Sequence, residues 1–171
     1  MREKSDEPVN SSAMQPGHRD ALELKIPPVP LALLFGGAMW GASTQLPALA
    51  FALPGRTPVS LALACLGLGV IFAGIVAFRK AVTTLNPMRP GAASVLVTSG
   101  PYRFSRNPVY LGLLLALCGW AVHLSHAGGF LLLPVFVAYM NRYQIVPEER
   151  ALSSRFGEDF AAYQRSVRRW L

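Results

Sequence analysis

Four apolar segments, separated by short polar stretches, dominate the chain from residue 31 to residue 146. They cover about residues 31–53, 59–78, 108–124 and 128–140, and the last could run on to residue 146. The first two have the roughly 20 residues that the hydrocarbon core of a bilayer requires. The last two are shorter, and only residues 125–127 separate them, so we expect a tight antiparallel hairpin. The pattern predicts an all-α fold, a polytopic integral membrane bundle of about four transmembrane helices.

The two ends of the chain follow a different, polar pattern. Residues 1–28 carry mixed charge and many small polar residues, which predicts a disordered N-terminal tail without a cleaved leader. Residues 29–171 then form a single membrane domain. After Pro147, apolar residues recur at helical spacing, which predicts a C-terminal amphipathic helix with a break at Gly157. We expect it on the cytoplasmic membrane surface or on the bundle. Its apolar face comprises Leu152, Phe156, Phe160, Tyr163, Val167 and Trp170.

Composition strengthens the assignment to a membrane. Apolar residues make up 52% of the chain and charged residues only 15%, whereas a soluble domain carries about 25% charged residues. No aspartate or glutamate occurs between Glu23 and Glu148. This pattern excludes a soluble globular enzyme, a disordered chain and a small secreted domain held by disulfides. The net charge of +7 comes from basic residues scattered around apolar segments, which favours lipid headgroups over nucleic acid as the partner.

The basic residues also predict an orientation. Five lie between the second and third apolar segments and six more follow the fourth, whereas the opposite side carries only Arg56. Because positive charge accumulates on the cytoplasmic side, we expect both termini and the 79–107 loop in the cytoplasm. In a bacterium, this would be a protein of the inner membrane.

Glycines within the first two apolar segments predict close helix packing. Gly37 and Gly41 form a GxxxG pair, and Gly67 and Gly74 lie two turns apart. Small residues at such spacing let two membrane helices approach closely.

Two clusters of polar and aromatic residues are candidates for chemistry. The first spans residues 100–112 and reads GPYRFSRNPVYLG, and the second spans residues 147–152 and reads PEERAL. Each has an ordinary structural explanation: Asn107 and Pro108 suit a helix start, as do Glu148 and Glu149. Considered together, a cationic loop at a helix N-terminus and two carboxylates reach the same membrane face. They predict a pocket with both signs of charge, suited to a zwitterionic ligand.

Other residues near the clusters complete the expected pocket. Tyr102, Phe104 and Tyr110 offer π faces to a flat ring or a sulfonium. Gly112, one turn into the third helix, would let a ligand approach the backbone. His123 and His126 lie roughly 20–24 Å from Tyr110 along a helix, so we expect them at the opposite membrane face as interfacial polar residues.

The two motifs, in this order, resemble those of the isoprenylcysteine carboxyl methyltransferase family. The matching residues read GPYR, SRNP, Tyr110 and Gly112, followed by Glu148-Glu149 and FGxxFxxY. That family is similar to the phospholipid methyltransferases, and all are integral membrane enzymes that use S-adenosylmethionine. The resemblance covers about residues 85–171.

The resemblance implies roles for particular residues. It implies that S-adenosylmethionine is the cofactor and that no metal is needed. It also implies that Arg106, Asn107, Pro108, Tyr110 and Gly112 line the cofactor pocket and that Glu148 and Glu149 close it. On physical grounds we assign Arg106 to the carboxylate of the cofactor, Tyr110 to the surroundings of the sulfonium, and one of the two glutamates to the ribose hydroxyls or the amino group. The catalytic candidates are Arg106, Tyr110 and Glu149. The cofactor-binding candidates are Tyr102, Arg106, Asn107, Pro108, Tyr110, Gly112, Glu148 and Glu149.

Three functional hypotheses remain open from the sequence. The first is methylation of a lipid-like carboxylate, such as that of a prenylated cysteine or a similar isoprenoid thioether acid. The second is the same enzyme class acting on a phospholipid amine or a small thiol. The third is a non-catalytic four-helix membrane scaffold that does not bind the cofactor.

Overall fold

The computed structural model describes residues 23–81 and 95–171, and within them the chain is helical. Most of the expected N-terminal tail and part of the 79–107 loop therefore lie outside the described residues. The described residues form five α-helices: α1 Pro28–Gln45, α2 Arg56–Lys80, α3 Pro108–Leu124, α4 Ala127–Tyr139 and α5 Val146–Ser166. Short 3-10 turns occupy Pro47–Leu49 and Gly100–Arg103, and a π-turn, Met140–Ile145, joins α4 to α5 without a break.

Two helices are long and apolar enough to cross a membrane. Within the described residues, these are α2, with 25 residues, and the 40-residue stretch from Ala127 to Ser166 that α4, the π-turn and α5 form together. The third apolar segment forms α3, whose bounds agree with the prediction but which has only 17 residues. The first forms the 18-residue α1, which ends in the polar sequence Ser-Thr-Gln. The all-helical fold and a membrane location are thus supported, whereas the count of four spans stays a prediction.

The outward faces of the helices are apolar. Leu33 of α1, Phe72 of α2 and Leu131 of α4 are each about two-thirds exposed or more. A soluble bundle turns charged and polar residues outward instead. The core lies between α1, α3 and α4, and its fully buried members include Met39, Phe136 and Met140.

The closest helix pair in the bundle is α2 with α3, and glycines make it possible. A Cβ atom built on Gly112 would lie 2.6 Å from the backbone oxygen of Gly67 and 2.5 Å from Ile71 Cγ1. The prediction of close packing through Gly67 and Gly74 is therefore correct. The same expectation for Gly37 and Gly41 is wrong, because nothing lies within 4 Å of a Cβ on either.

His126 closes the turn between α3 and α4. Ser125 ends α3 with a left-handed φ of 48°, and the next residue caps α4 by accepting the Gly128 N–H at Nδ1, 3.2 Å away. Since Nδ1 accepts, Nε2 carries the proton and donates to the Leu46 carbonyl at 2.8 Å. The ring is fully buried, so it ties the start of α4 to the segment after α1 and is more than an interfacial polar residue.

The C-terminal helix is broken at Gly157, as predicted, with φ 50° and ψ −121°. Its most buried aromatic residues are Phe160 and Tyr163, both on the expected apolar face. The helix ends at Ser166, and Val167 is extended, so Trp170 lies beyond the helix. Residues 167–171 instead run back to the start of α3, where the Arg106 N–H donates to the Arg168 carbonyl at 2.9 Å.

Candidate functional site

The two sequence motifs meet at a cavity of about 360 Å³. Ile71, Ile75 and Phe78 of α2 and Val29 of α1 form much of its apolar wall. Its polar lining comprises Tyr102, Arg106, Asn107, Tyr110, Glu148, Glu149 and Tyr163. Six of the eight predicted cofactor-binding residues therefore share one cavity, although at least 38 positions separate the four that come from the first motif from the two glutamates.

Pro108 and Gly112 do not belong to this lining. Pro108 is buried at the first position of α3, where its missing N–H costs no helical hydrogen bond. Gly112 faces α2 and not a ligand, since a Cβ there would collide with Gly67 and Ile71. The expectation that Gly112 lets a ligand approach the backbone is therefore wrong in its geometry: the closely approaching group is a neighbouring helix.

Glu148 is held by neutral hydrogen-bond donors. Its Oε1 accepts from the Tyr110 hydroxyl at 2.5 Å and from Gln144 Nε2 at 2.6 Å. Among residues 23–81 and 95–171, no lysine, arginine or histidine forms an ion pair with Glu148, and no group donates to its Oε2. A partly buried carboxylate without a cation is costly, so this part of the cavity favours a ligand with cationic or donor groups.

Glu149, the next residue, is fully engaged by two arginines. Arg106 Nη2 lies 2.7 Å from Oε1. Arg169 approaches the same carboxylate with a two-point fork, through Nε at 3.1 Å and Nη2 at 2.6 Å. Such charge-assisted, two-point contacts are stronger and more directional than neutral hydrogen bonds. Glu149 therefore links the start of α3 to the C-terminal segment.

Arg106 binds the end of the chain as well as Glu149. Its Nη1 donates to the carbonyls of Gln164 and Val167, each at 3.0 Å. Its Nε is buried and has no hydrogen-bond partner within the part of the chain that the structure describes. Both Nη groups of Arg106 thus bind the protein, whereas its buried Nε–H has no described partner.

Asn107 and Ser105 reinforce this attachment. Asn107 occupies the N-cap position of α3, but its side chain does not cap the helix. Its Nδ2 donates to the Arg169 carbonyl at 2.9 Å, and the Ser105 hydroxyl approaches the same oxygen at 3.4 Å. Asn107 thus lies at the helix start, as its residue type suggested, but its side chain binds the returning C-terminal segment and does not cap α3.

Tyr102 lies in the wall of the cavity as a buried, neutral phenol. Its backbone carbonyl accepts the Tyr163 hydroxyl at 2.6 Å, and its ring packs edge-on against Phe78 with centroids 5.1 Å apart. Burial, more than the neighbouring Tyr163 and Glu148, raises the pKa of Tyr102 well above the usual value for a phenol. Phe104, offered by the sequence as another π face, is 75% exposed and lies outside the cavity lining.

Three residues of the site were missed by the sequence reasoning. Gln144 is a polar residue in an apolar segment, four positions before Glu148, and that spacing on a helix was a usable signal. Tyr163 belongs to the FGxxFxxY motif and to the predicted apolar face of α5, but the sequence suggested no role for it in the site. For Arg169 there was no signal, because its contact with Glu149 depends on how the chain returns after the helix.

The fold and the site together define a helical membrane protein with a charged cavity built from its third and fifth helices. The family model described as phospholipid methyltransferase matches residues 56–159, more than half of the chain. The chain belongs to this family. An uncharacterised protein from Haemophilus influenzae is 40% identical over 63 residues, which are 37% of this chain and the whole of that relative. No solved structure matches the chain.

Family membership confirms the resemblance to the phospholipid methyltransferases and makes the chain a membrane methyltransferase. Methyltransferases of this family generally use S-adenosylmethionine. The matched region contains α2, α3 and α4, both motifs and most of the cavity lining. The family match identifies the class of enzyme but not the methyl acceptor.

Proposed function

We propose that the chain binds S-adenosylmethionine in the cavity and methylates a lipid-like acceptor that reaches the site from the bilayer. The observation that carries this proposal is the composition of the cavity: apolar walls end at a carboxylate, Glu148, that no described cation pairs. The volume of about 360 Å³ falls within the range of small-molecule sites. The unpaired Nε of Arg106 adds a donor for an anionic group, so the lining suits a zwitterion.

Unequal roles for the two glutamates follow from their contacts. Glu149 has both oxygens bound by arginines, and therefore serves to hold Arg106. Glu148 has one oxygen to which no described residue donates, and would accept from the cofactor's amino group or ribose hydroxyls. Tyr110, hydrogen-bonded to Glu148, would orient the cofactor, and Arg106 would hold its carboxylate.

When bound, S-adenosylmethionine supplies an already activated methyl group on a sulfonium. The residues of the site then have to position the reactants and exclude water, and few ionisable groups are needed. Tyr102 and Asn107 would complete the binding surface, whereas Pro108 and Gly112 contribute by fixing α3. This assignment keeps Arg106 and Tyr110 as groups that touch the cofactor and gives Glu149 a supporting role.

The first candidate acceptor is the carboxylate of a prenylated cysteine or a similar isoprenoid thioether acid. An ionised carboxylate needs no base before methylation, and the apolar wall from α1 and α2 suits an isoprenoid chain. The second candidate is a phospholipid amine. It is favoured by the absence of a described cation beside Glu148, because this carboxylate attracts an ammonium group and repels a second carboxylate. Glu148 would also take the proton that the ammonium group must lose before its nitrogen attacks the methyl group.

Calorimetric titration of the purified protein in nanodiscs with S-adenosylhomocysteine tests the cofactor assignment. Glu148→Gln should weaken binding roughly tenfold or more, because it removes a charged acceptor, and should change the melting temperature little. Glu149→Gln should mainly lower the melting temperature, because two arginines lose their anion. Glu158→Gln, at an exposed position of α5, is the matched control. If the unmodified protein does not bind S-adenosylhomocysteine, the cofactor assignment is wrong and the scaffold hypothesis is favoured.

Methyl transfer from labelled S-adenosylmethionine decides between the acceptors. One set of nanodiscs should contain an S-farnesylated N-acetylcysteine, and another should contain phosphatidylethanolamine. A methyl ester releases labelled methanol in alkali, whereas an N-methyl group does not. Alkali-labile label only in the first set supports the carboxylate, and alkali-stable label only in the second supports the amine.

A further inference from the structure

Gln144 is a buried polar side chain in the π-turn between α4 and α5. It is 3% exposed, and its Nε2 donates to Glu148 Oε1 at 2.6 Å and approaches the Tyr110 hydroxyl at 3.4 Å. It does not line the cavity itself, whereas Tyr110 and Glu148 both do. Gln144 therefore contacts, from outside the cavity, two residues that we assign to cofactor binding.

The π-turn brings this amide to the site. Hydrogen bonding from i to i+5 adds about one residue to a helical turn, which rotates all later residues by about 100° around the axis. Because of this rotation at Met140–Ile145, α4 presents one face to the core and α5 presents a different face to the cavity. Gln144 and Glu148 lie four positions apart across this junction, and their side chains lie on the same side of the helix.

The direction of the hydrogen bonds determines which oxygen Glu148 offers. Tyr110 and Gln144 both donate to Oε1, and among the described residues none donates to Oε2. Two donors on one oxygen fix the carboxylate rotamer, so the second oxygen is the one left for a ligand. With Tyr110 alone, the carboxylate would keep one contact and could rotate about it.

We propose that Gln144 is a positioning residue that orients Glu148 so that its Oε2 receives a donor group of the cofactor. This proposal rests on the proposed function and extends it to a residue outside the cavity lining. In this role Gln144 acts through its short hydrogen bond to Glu148, and this dependence distinguishes it from a residue that merely stabilises the π-turn.

A double-mutant cycle measures that dependence. The four proteins are the unmodified chain, Gln144→Met, Glu148→Ala and the double variant, each titrated with S-adenosylhomocysteine in nanodiscs. Methionine keeps the length of glutamine but cannot donate. Gln144→Met should weaken binding about tenfold in the unmodified background, as expected for one hydrogen bond to a charged group. In the Glu148→Ala background it should change affinity less than twofold.

Controls separate this proposal from the proposed function. Gln45→Met, at the exposed end of α1, should leave affinity unchanged. Equal losses from Gln144→Met in both backgrounds would overturn the positioning role while the cofactor assignment stands, and so would no loss in the unmodified background. If the unmodified protein binds no cofactor, both the positioning role and the proposed function are refuted.

A second substitution covers the case in which Gln144→Met does not fold. Gln144→Asn keeps a buried amide but shortens the side chain by one methylene, so the donor no longer reaches Oε1. It should give the same pattern, a clear loss of affinity that vanishes in the Glu148→Ala background. A loss of the same size in both backgrounds would again refute the proposal.

Discussion

Replacing Arg106 should release the C-terminal segment, residues 164–169, from the start of α3. Its guanidinium donates to the carbonyls of Gln164 and Val167 at 3.0 Å and to Glu149 at 2.7 Å, and its side chain is only 12% exposed. Hydrogen bonds from a charged group contribute about 1.5–3 kcal/mol each and are not additive. Since Arg169 still pairs with Glu149, we expect Arg106→Ala to lower the free energy of local opening by about 3 kcal/mol.

Trypsin provides the assay, because Arg165 and Arg168 lie within or beside the segment. When opening is fast relative to cleavage, the cleavage rate follows the open population, so about 3 kcal/mol corresponds to a rise of roughly 100-fold. Mass spectrometry of the released C-terminal peptides in nanodiscs measures this rate. Arg106→Lys should give an intermediate value, because an ammonium cannot make the planar set of contacts.

Arg103→Ala is the control for this prediction. Arg103 is exposed, and among the described residues its side chain forms no hydrogen bond or ion pair. Its replacement should therefore change the cleavage rate less than twofold. A rise of less than threefold for Arg106→Ala would show that the carbonyl contacts do not hold the segment. In that case the pair between Arg169 and Glu149 would hold the segment without Arg106.

Two other predictions concern packing and topology. Gly112→Ala should lower the free energy of unfolding by about 2 kcal/mol, because the added methyl group overpacks against Gly67 and Ile71, and the melting temperature should fall. In the control, Gly69→Ala, the methyl group meets nothing within 4 Å, so stability should be unchanged or slightly higher. Equal effects of the two substitutions would contradict the α2–α3 contact. Reporter tags at the N-terminus, the 79–107 loop and the C-terminus should all register cytoplasm, and a periplasmic C-terminus would refute the four-span arrangement.

The sequence by itself determined the membrane class, the helix bounds near α3 and the break at Gly157. Each depends on local information: hydropathy over about 20 residues, a proline at a helix start, a glycine where φ must be positive. The family could also be inferred from two short motifs, since their residue types and order are unusual.

Only the tertiary structure determined which role each residue of those motifs has. Glu148 and Glu149 are adjacent in sequence and equivalent in charge, yet one faces Tyr110 and Gln144 while the other pairs with Arg106 and Arg169. That difference depends on the wide turn before α5 and on the return of the chain after Ser166, which bring together groups far apart in sequence. Local patterns contain no information about such contacts, because the contacts form only when the helices pack.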